Sequence, residues 1–387
     1  MTVLIAALVI ASITRVVFAA DSLADQLGLK FSGGGTFILA GTPKLNVTQN
    51  DNNGENNASY SLDLSITKEF ENNGRITARF KGGAGKGIAR ELITYATVNA
   101  DADETITPEG YVHTKLTQLF YQQSFLDNKF TINFGKLSLG SYFAKNQYAG
   151  GGTSQFITKS FAADELIEKT GQAIAIRLNY AVTDKLDVDY AYFATRLNHF
   201  DAKGINILQA TYKPCEKGNC RVYVWTSNND RYSFKDLKDK SGTYGAGLSA
   251  DQEINEKIGA FGRFGYKNPS DGISSVAISS TNYENIKQTV SLSWSIGVQL
   301  KDFCSVRTND VIGFALGRMY GSDECRKCAN NYKNKAETQL ELYYKLVLNE
   351  YIAVTPAVQY FVNPLGGNGN TNGDNIIIYG IRTRFDF

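Results

Sequence analysis

The sequence predicts an all-β chain closed into a transmembrane antiparallel β-barrel of about sixteen strands. Three observations predict it. Segments of apolar–polar alternation recur along the 387 residues. Short polar turns and long loops alternate between those segments. The chain ends on an aromatic residue, Phe387, after a strand with Ile377, Tyr379, Ile381 and Phe385 on one face. Gly380, Arg382, Arg384 and Asp386 fall on the other. A strand has a two-residue period, so each such segment offers one face to lipid and one to water.

Composition narrows the class. The chain is 43% hydrophobic and 20% charged, with a mean hydropathy of -0.25. The body of the chain has no run of about twenty apolar residues, which argues against membrane-spanning helices. A barrel escapes that criterion, because only alternate residues face lipid. The 22 Tyr, 22 Phe and 36 Gly suit aromatic girdles and tight turns. A large soluble β protein shares those counts, but the closing strand and the rhythm argue against it. The net charge of +2 implies no partner of opposite charge.

In chain order, residues 1–19 are expected to be a secretory signal. Val3 to Thr14 is apolar, and Val17-Phe18-Ala19 precedes Ala20, although the n-region lacks Lys and Arg. Residues 20–30 are expected to be periplasmic, with Leu23 and Leu27 at helical spacing in a short helix over Asp21–Leu29. Residues 31–387 are the barrel, one domain, since a closed barrel leaves no seam. Tyr60 to Thr67, Val290 to Lys301 and Gln339 to Leu346 alternate residue by residue. Short turns are expected at Glu71–Gly74, Leu126–Lys129, Thr183–Lys185, Pro214–Cys220, Asn255–Lys257 and Asn349–Glu350. Long loops are expected at Gly41–Ala58, Gly85–Thr114, Leu139–Gly171, Asn228–Thr243, Asn268–Gln288, Met319–Lys335 and Asn363–Asn375. Asn198–Lys203 is a short outer loop and Lys301–Asp310 a longer inner turn. The even strand count puts both termini on the periplasmic side. A barrel this wide encloses an aqueous channel rather than a side-chain core.

Parity then gives the lumen. Arg75, Arg79, Lys81, Arg177, Arg263, Arg382 and Arg384 are expected to point inward, with Glu341, Lys345 and Gln359. Arg offers planar donors for hydroxyls, carboxylates or phosphates. The alternative is that such charges pair and merely solvate the wall; Asp187 and Asp189 are placed to neutralise Arg177. Leu139–Gly171, at roughly 33 residues, is long for a loop on a rigid scaffold. It is expected to fold inward as a constriction carrying Lys145, Asn146, Gln155 and Lys159, with Gly85–Thr114 contributing; an exposed surface loop is the other reading.

Five Cys in an exported chain meet an oxidising compartment. Cys215 and Cys220 flank a short turn that a disulfide would staple. Cys325 and Cys328 form C-x-x-C without a following His, so a local disulfide or free thiols are expected, and no metal site. Cys304 is left over, and no cofactor is expected. The two His, His113 and His199, lie at loop edges without a Ser or Asp partner, which weighs against an outer-membrane hydrolase. No P-loop, dinucleotide fingerprint or nucleic-acid motif occurs, so nucleic acid is not an expected partner.

The last strand resembles the closing strand of bacterial outer-membrane barrels. That resemblance implies the outer membrane of a Gram-negative cell, contact with its lipid, and recognition of the Phe387 strand by the barrel-assembly machinery. Three blocks resemble the carbohydrate-selective porins of the OprB type. In Lys115–Phe161, Phe125, Gly135, Lys136, Tyr142, Phe143, Asn146, Gln155 and Phe156 match. In Tyr244–Asp271, the Gly-Leu-Ser run, Asp251-Gln252 and the Phe-x-Arg-x-Gly-Tyr run match. In Ala336–Phe387, the ETQLELYYKL, TPAVQYFVNP and GIRTRFDF stretches match; Asp310–Gly317 also fits. The chain departs at Gln118, where the family places Glu, at Ala357, where it places Asp, and at Gly150–Gly152, which lacks an acidic residue. The resemblance implies a sixteen-stranded channel narrowed by inward loops, passing small sugars with the help of lumenal Arg and acidic or amide groups. The alternatives are a general or anion-preferring pore and a plugged structural or adhesive barrel. A homotrimer is the habit of large porins.

Overall fold

The computed structural model describes residues 26–43, 55–85, 87–101, 113–168, 172–196, 199–233, 239–270, 290–303, 306–324, 333, 335–367 and 375–387. Its strands are β1 (Leu29–Thr42), β2 (Glu55–Glu69), β3 (Gly74–Ala84), β4 (His113–Phe125), β5 (Phe130–Ser138), β6 (Gln172–Thr183), β7 (Leu186–Arg196) and β8 (His199–Tyr212). They continue as β9 (Gly218–Tyr232), β10 (Asp239–Glu253), β11 (Ile258–Lys267), β12 (Val290–Lys301), β13 (Val311–Gly321), β14 (Glu337–Val347), β15 (Ile352–Val362) and β16 (Ile376–Asp386). Each strand pairs antiparallel with its neighbours in sequence. β1 pairs with β16, from Gly34 opposite Asp386 to Gly41 opposite Tyr379, and closes the barrel. Closure leaves no unpaired edge, which a sheet in hydrocarbon requires.

The alternation in sequence becomes two faces. Leu62, Phe134, Ile296 and Leu342 stand outward and exposed, whereas Ser61, Asn133, Ser295 and Glu341 beside them are buried. Ile377, Tyr379, Ile381 and Phe385 are exposed on β16 while Ile376, Ile378 and Arg382 are buried. In β4 the alternation is interrupted by a register shift opposite Arg79 and Phe80, which leaves Thr117 as the extra residue. The turn between β4 and β5 is tight, with Leu126, Asp127 and Asn128 all at positive φ (53°, 52° and 67°).

Two expected loops are corrected. Asn198–Lys203 is strand from His199 onward, since β8 begins there. Asn228–Thr243 is mostly strand, since β9 runs to Tyr232 and β10 begins at Asp239. Polar residues ended the lipid-facing pattern, yet a strand above the bilayer has water on both faces and needs no apolar one. There Asn228 Oδ1 accepts from Gly204 N (2.6 Å), and Lys203 pairs with Asp230. The proposed disulfide across the β8–β9 turn is not formed: Cys215 and Cys220 are free thiols, and Cys215 Sγ–H donates to Gln252 Oε1 (3.2 Å). Residues 1–19, most of the Asp21–Leu29 helix, Cys304, Cys325 and Cys328 lie outside the described residues; β1 already begins at Leu29.

Candidate functional site

Two segments between strands carry most of the buried side chains that do not belong to the wall. The first follows β3. Ile88, Leu92, Tyr95, Ala96 and Val98 pack with the buried-face residues Ile38, Phe361, Ile376 and Ile378 of β1, β15 and β16. The amides of Tyr95 (2.6 Å) and Ala96 (3.0 Å) donate to the carboxylate of Glu337 on β14. Asp101 accepts from Ser61 (2.6 Å) and pairs with Lys81 (2.9 Å).

The second segment runs from Leu139 to Glu168 between β5 and β6. Its aromatic Phe156 packs edge-on against Phe161 and Tyr343 and tilted on Phe261, with ring centroids 5.5, 5.0 and 5.6 Å away. Polar side chains of the wall hold its backbone. Gln209 Oε1 accepts from Ala144 N (2.9 Å), and Gln299 Nε2 donates to Tyr148 O (2.6 Å). Glu341 accepts from the amides of Ile157 and Thr158, and Gln359 Nε2 donates to Thr158 Oγ1 (2.8 Å) and Val98 O (2.8 Å). The two segments also meet directly, Ala100 N donating to Ile157 O (2.9 Å) and Lys159 N to Thr97 O (2.9 Å). Buried backbone groups in irregular segments need such partners.

Several residues expected to meet solute are used this way instead. Arg263 is buried, and its guanidinium donates to the carbonyls of Phe161 and Ala149 (2.7 Å to the latter). Arg382 is buried and donates to Gly152 O (2.8 Å). Gly152 leaves no room for a side chain, because a Cβ there would lie 2.7 Å from Ala100 Cβ. Asn146 donates to Ser249 Oγ (3.2 Å) and Ala250 O (3.0 Å); Gln155 accepts from Gly150 N (2.6 Å) and donates to Gln147 O (2.7 Å). Lys159 opens a one-turn helix, Lys159–Ala162. Asp164, within the segment, accepts from Leu166 N (2.9 Å) and from the hydroxyl of Tyr223; burial pushes its carboxyl above the usual range.

Other cations gather around Tyr142 and Lys145, on the side of β3, β6 and β9. The Arg177 guanidinium lies 4.7 Å from the Tyr142 ring centroid, donates to Asn133 Oδ1 (2.8 Å) and pairs with Asp189. Arg221 pairs with Asp251, and Arg75 donates to Gln122 Oε1 (2.8 Å). Arg79 is exposed; its backbone carbonyl accepts from Thr117 Oγ1 (2.9 Å), and its guanidinium makes no hydrogen bond or ion pair among the described residues. Lys145 feels the charges of Arg221, Arg79 and Arg177, and desolvation first, then these charges, lower its pKa. Elsewhere Arg384 pairs with Asp63 (2.5 Å) and Asp386 (2.7 Å), while Lys345 is half-buried. Arg221 and Asp251 were not among the expected lumenal charges. Parity could have found Arg221, since Val222 and Val224 beside it face outward.

The carbohydrate-selective porin family, OprB, matches residues 48–387, and those residues hold fifteen of the strands and both packed segments. The chain belongs to the OprB family of carbohydrate-selective porins. No curated protein matches the chain. Among solved structures, Pseudomonas putida OprB at high pH is 16% identical, with a TM-score of 0.77 over 95% of this chain and 96% of that one. The low-pH form of the same protein gives 14% and 0.54 over 95% of each chain. A triple mutant of Rhodopseudomonas blastica porin gives 10% and 0.53 over 93% of this chain and all of that one. These likenesses establish the shared fold. As a member of the OprB family the chain is an outer-membrane porin for carbohydrates, a channel. The family departures fall in the packed region of this porin: Gln118 is buried and donates to Ser141 Oγ (3.1 Å), and Ala357 is buried beside Phe156. An acid at position 357 would have to be seated in a cluster that holds Phe156, Phe261 and Tyr343.

Proposed function

We propose that the two packed segments lie inside the barrel and form a constriction that passes small neutral sugars, with a basic wall on the side of β3, β6 and β9. The observation that carries this reading is the gathering of Arg177, Arg79 and Arg75 near Tyr142, with Arg177 over its ring, and of Arg221, Arg79 and Arg177 near Lys145. Guanidinium donors meet sugar hydroxyls and an aromatic face meets the apolar face of a pyranose, and neither demands a charged solute. Arg263 and Arg382 belong to the scaffold of the constriction, because each guanidinium donates to loop carbonyls, Arg263 to Phe161 and Ala149 and Arg382 to Gly152. Liposome swelling with neutral sugars tests the reading: Arg79→Ala with Lys145→Ala should change sugar flux, and failure of the unmodified protein to pass any sugar would overturn it.

A preference for anions is a second reading. It is favoured by the ion pairs, which neutralise Arg177 and Arg221 but, among the described residues, leave Arg79 and Lys145 without a paired carboxylate. Reversal potentials in a KCl gradient measure it directly. The proposal further includes a cleaved signal over residues 1–19, a periplasmic segment over 20–30 with the barrel from 31, recognition of the Phe387 strand by the assembly machinery, and a homotrimer.

A further inference from the structure

On the outward face of the barrel, basic side chains are rare, and their fates differ. Lys68 Nζ donates to Leu27 O (2.6 Å), and Lys136 Nζ donates to Leu116 O at the β4 irregularity. Both lysines are therefore satisfied by backbone carbonyls. Arg318 on β13 is not. It alternates outward with Phe314 and Leu316, while Ala315, Gly317 and Met319 are buried. Its guanidinium lies 5.5 Å from the Tyr320 ring centroid and donates to no acceptor among the described residues, and its Nε is buried without a partner.

The position of Arg318 says where its acceptor must come from. β13 rises from the inner turn at Val311 to the long-loop rim at Gly321, and Arg318 lies close to that rim. Its register partners are Trp294 on β12 and Thr338, the second residue of β14. Trp and Tyr at that level form the aromatic belt at a membrane interface, where a charge on the lipid face costs least. The acceptors at that depth, outside the protein, are headgroup phosphates of the outer leaflet. A guanidinium binds phosphate through paired, charge-assisted donors. A second copy of the chain is poorly equipped to replace them: among strand carboxylates whose side chains are described, Asp230 alone takes outward parity, at the outer end of β9, and it is engaged by Lys203.

We infer that Arg318, flanked by Trp294 and Tyr320, binds the phosphate of an anionic lipid of the outer leaflet on the outside of the barrel. The site is independent of the solute pathway, because its residues face away from the lumen.

The purified, delipidated full-length protein is titrated with diphosphorylated lipid A and followed by native mass spectrometry. The expected result is a retained lipid whose affinity falls about tenfold in Arg318→Gln, the order of one lost charge-assisted contact. Dephosphorylated lipid A should bind the unmodified protein as weakly as the phosphorylated lipid binds the variant. Arg318→Lys, which keeps the charge without the paired donors, should fall between the two and serves as the reference if Arg318→Gln does not fold, as judged by heat-modifiable mobility. Equal retention by the unmodified protein and the variants overturns the inference. So does displacement of the lipid by millimolar inorganic phosphate, which would mark a free-anion site. Loss of an oligomer in the variants with lipid retention unchanged would assign Arg318 to a second copy and equally overturn it.

Discussion

Glu341 on β14 accepts hydrogen bonds from the amides of Ile157 (2.7 Å) and Thr158 (2.8 Å), so one wall carboxylate seats the turn of a segment 184 residues away in sequence. Each buried amide left without an acceptor costs about 1–3 kcal/mol. Glu341→Ala should therefore free this part of the Leu139–Glu168 segment, raising single-channel conductance and the rate of proteolysis within it. Glu341→Gln keeps an acceptor and should show a smaller change. Conductance unchanged in both variants would mean that the segment does not narrow the pore.

Phe156 is fully buried between Phe161, Phe261 and Tyr343. Replacing it by Ala removes a ring from a packed site, a loss of about 3–5 kcal/mol in comparable cores. The barrel itself should stay closed, because its hydrogen-bond ladder does not depend on Phe156. The expected signature is noisier and larger single-channel current with unchanged barrel mobility on gels. A fall in the folded fraction instead would show that the segment and the wall form one cooperative unit.

Lys145 has a pKa lowered by desolvation and by Arg221, Arg79 and Arg177. A lysine so placed sheds its proton at lower pH than a solvated one, near 10.4. Chloride preference in a KCl gradient should therefore decline as pH is raised, earlier than solvated lysines would allow. Lys145→Gln should begin with weaker chloride preference and show a flatter alkaline profile. A variant with the profile of the unmodified protein would remove Lys145 from the constriction.

At the inner turn before β13, Asp310 accepts from Arg307 Nε (2.5 Å) and Val347 N (2.9 Å), and its pKa is held at about 2, chiefly by the Arg307 hydrogen bond. A carboxyl whose folded value lies below its ordinary 3.8 adds stability above that value, and this is lost as pH falls through about 2. Thermal unfolding of the unmodified protein should show this acid loss, and Asp310→Asn should be less stable at neutral pH with a shallower decline below pH 4. Equal stability of the two proteins at neutral pH would place the contact among those that contribute nothing net.

Phe387 exchanges backbone hydrogen bonds with Gly33 (3.1 and 3.0 Å) while its ring stays half exposed. Deleting Phe387 should slow assembly in cells far more than it lowers the stability of the assembled barrel, because little side-chain burial is lost. The ratio of assembled to unassembled protein in membranes measures the first effect and heat-modifiable mobility the second. Normal assembly of the truncated chain would show that the terminal aromatic is not read.

Much of the wall was legible beforehand, and for a simple reason. In Val290 to Lys301 or Ile376 to Asp386 the side-chain period is two, lipid tolerates few polar groups, and the closed ladder admits few alternatives. Parity alone placed Arg177 beside Asp189 and put Glu341 and Gln359 on the inner face. It also carried the signal for Arg221. Parity failed where water bathes both faces, as from Asn228 to Tyr232, because polarity there ceases to mark a strand's end.

What the sequence by itself determined is therefore the barrel: its strand number, its two faces, its closing strand and, through the three matching blocks, its kinship. The tertiary structure decided what each inward charge does. Arg79 and Arg263 have the same parity and the same chemistry, yet the guanidinium of one is exposed without a partner among the described residues and that of the other is buried under the carbonyls of Phe161 and Ala149. Strand period is a local property that neighbouring residues impose. Which side chain meets a crossing segment depends on where that segment's backbone, a hundred residues distant in sequence, comes to need a donor.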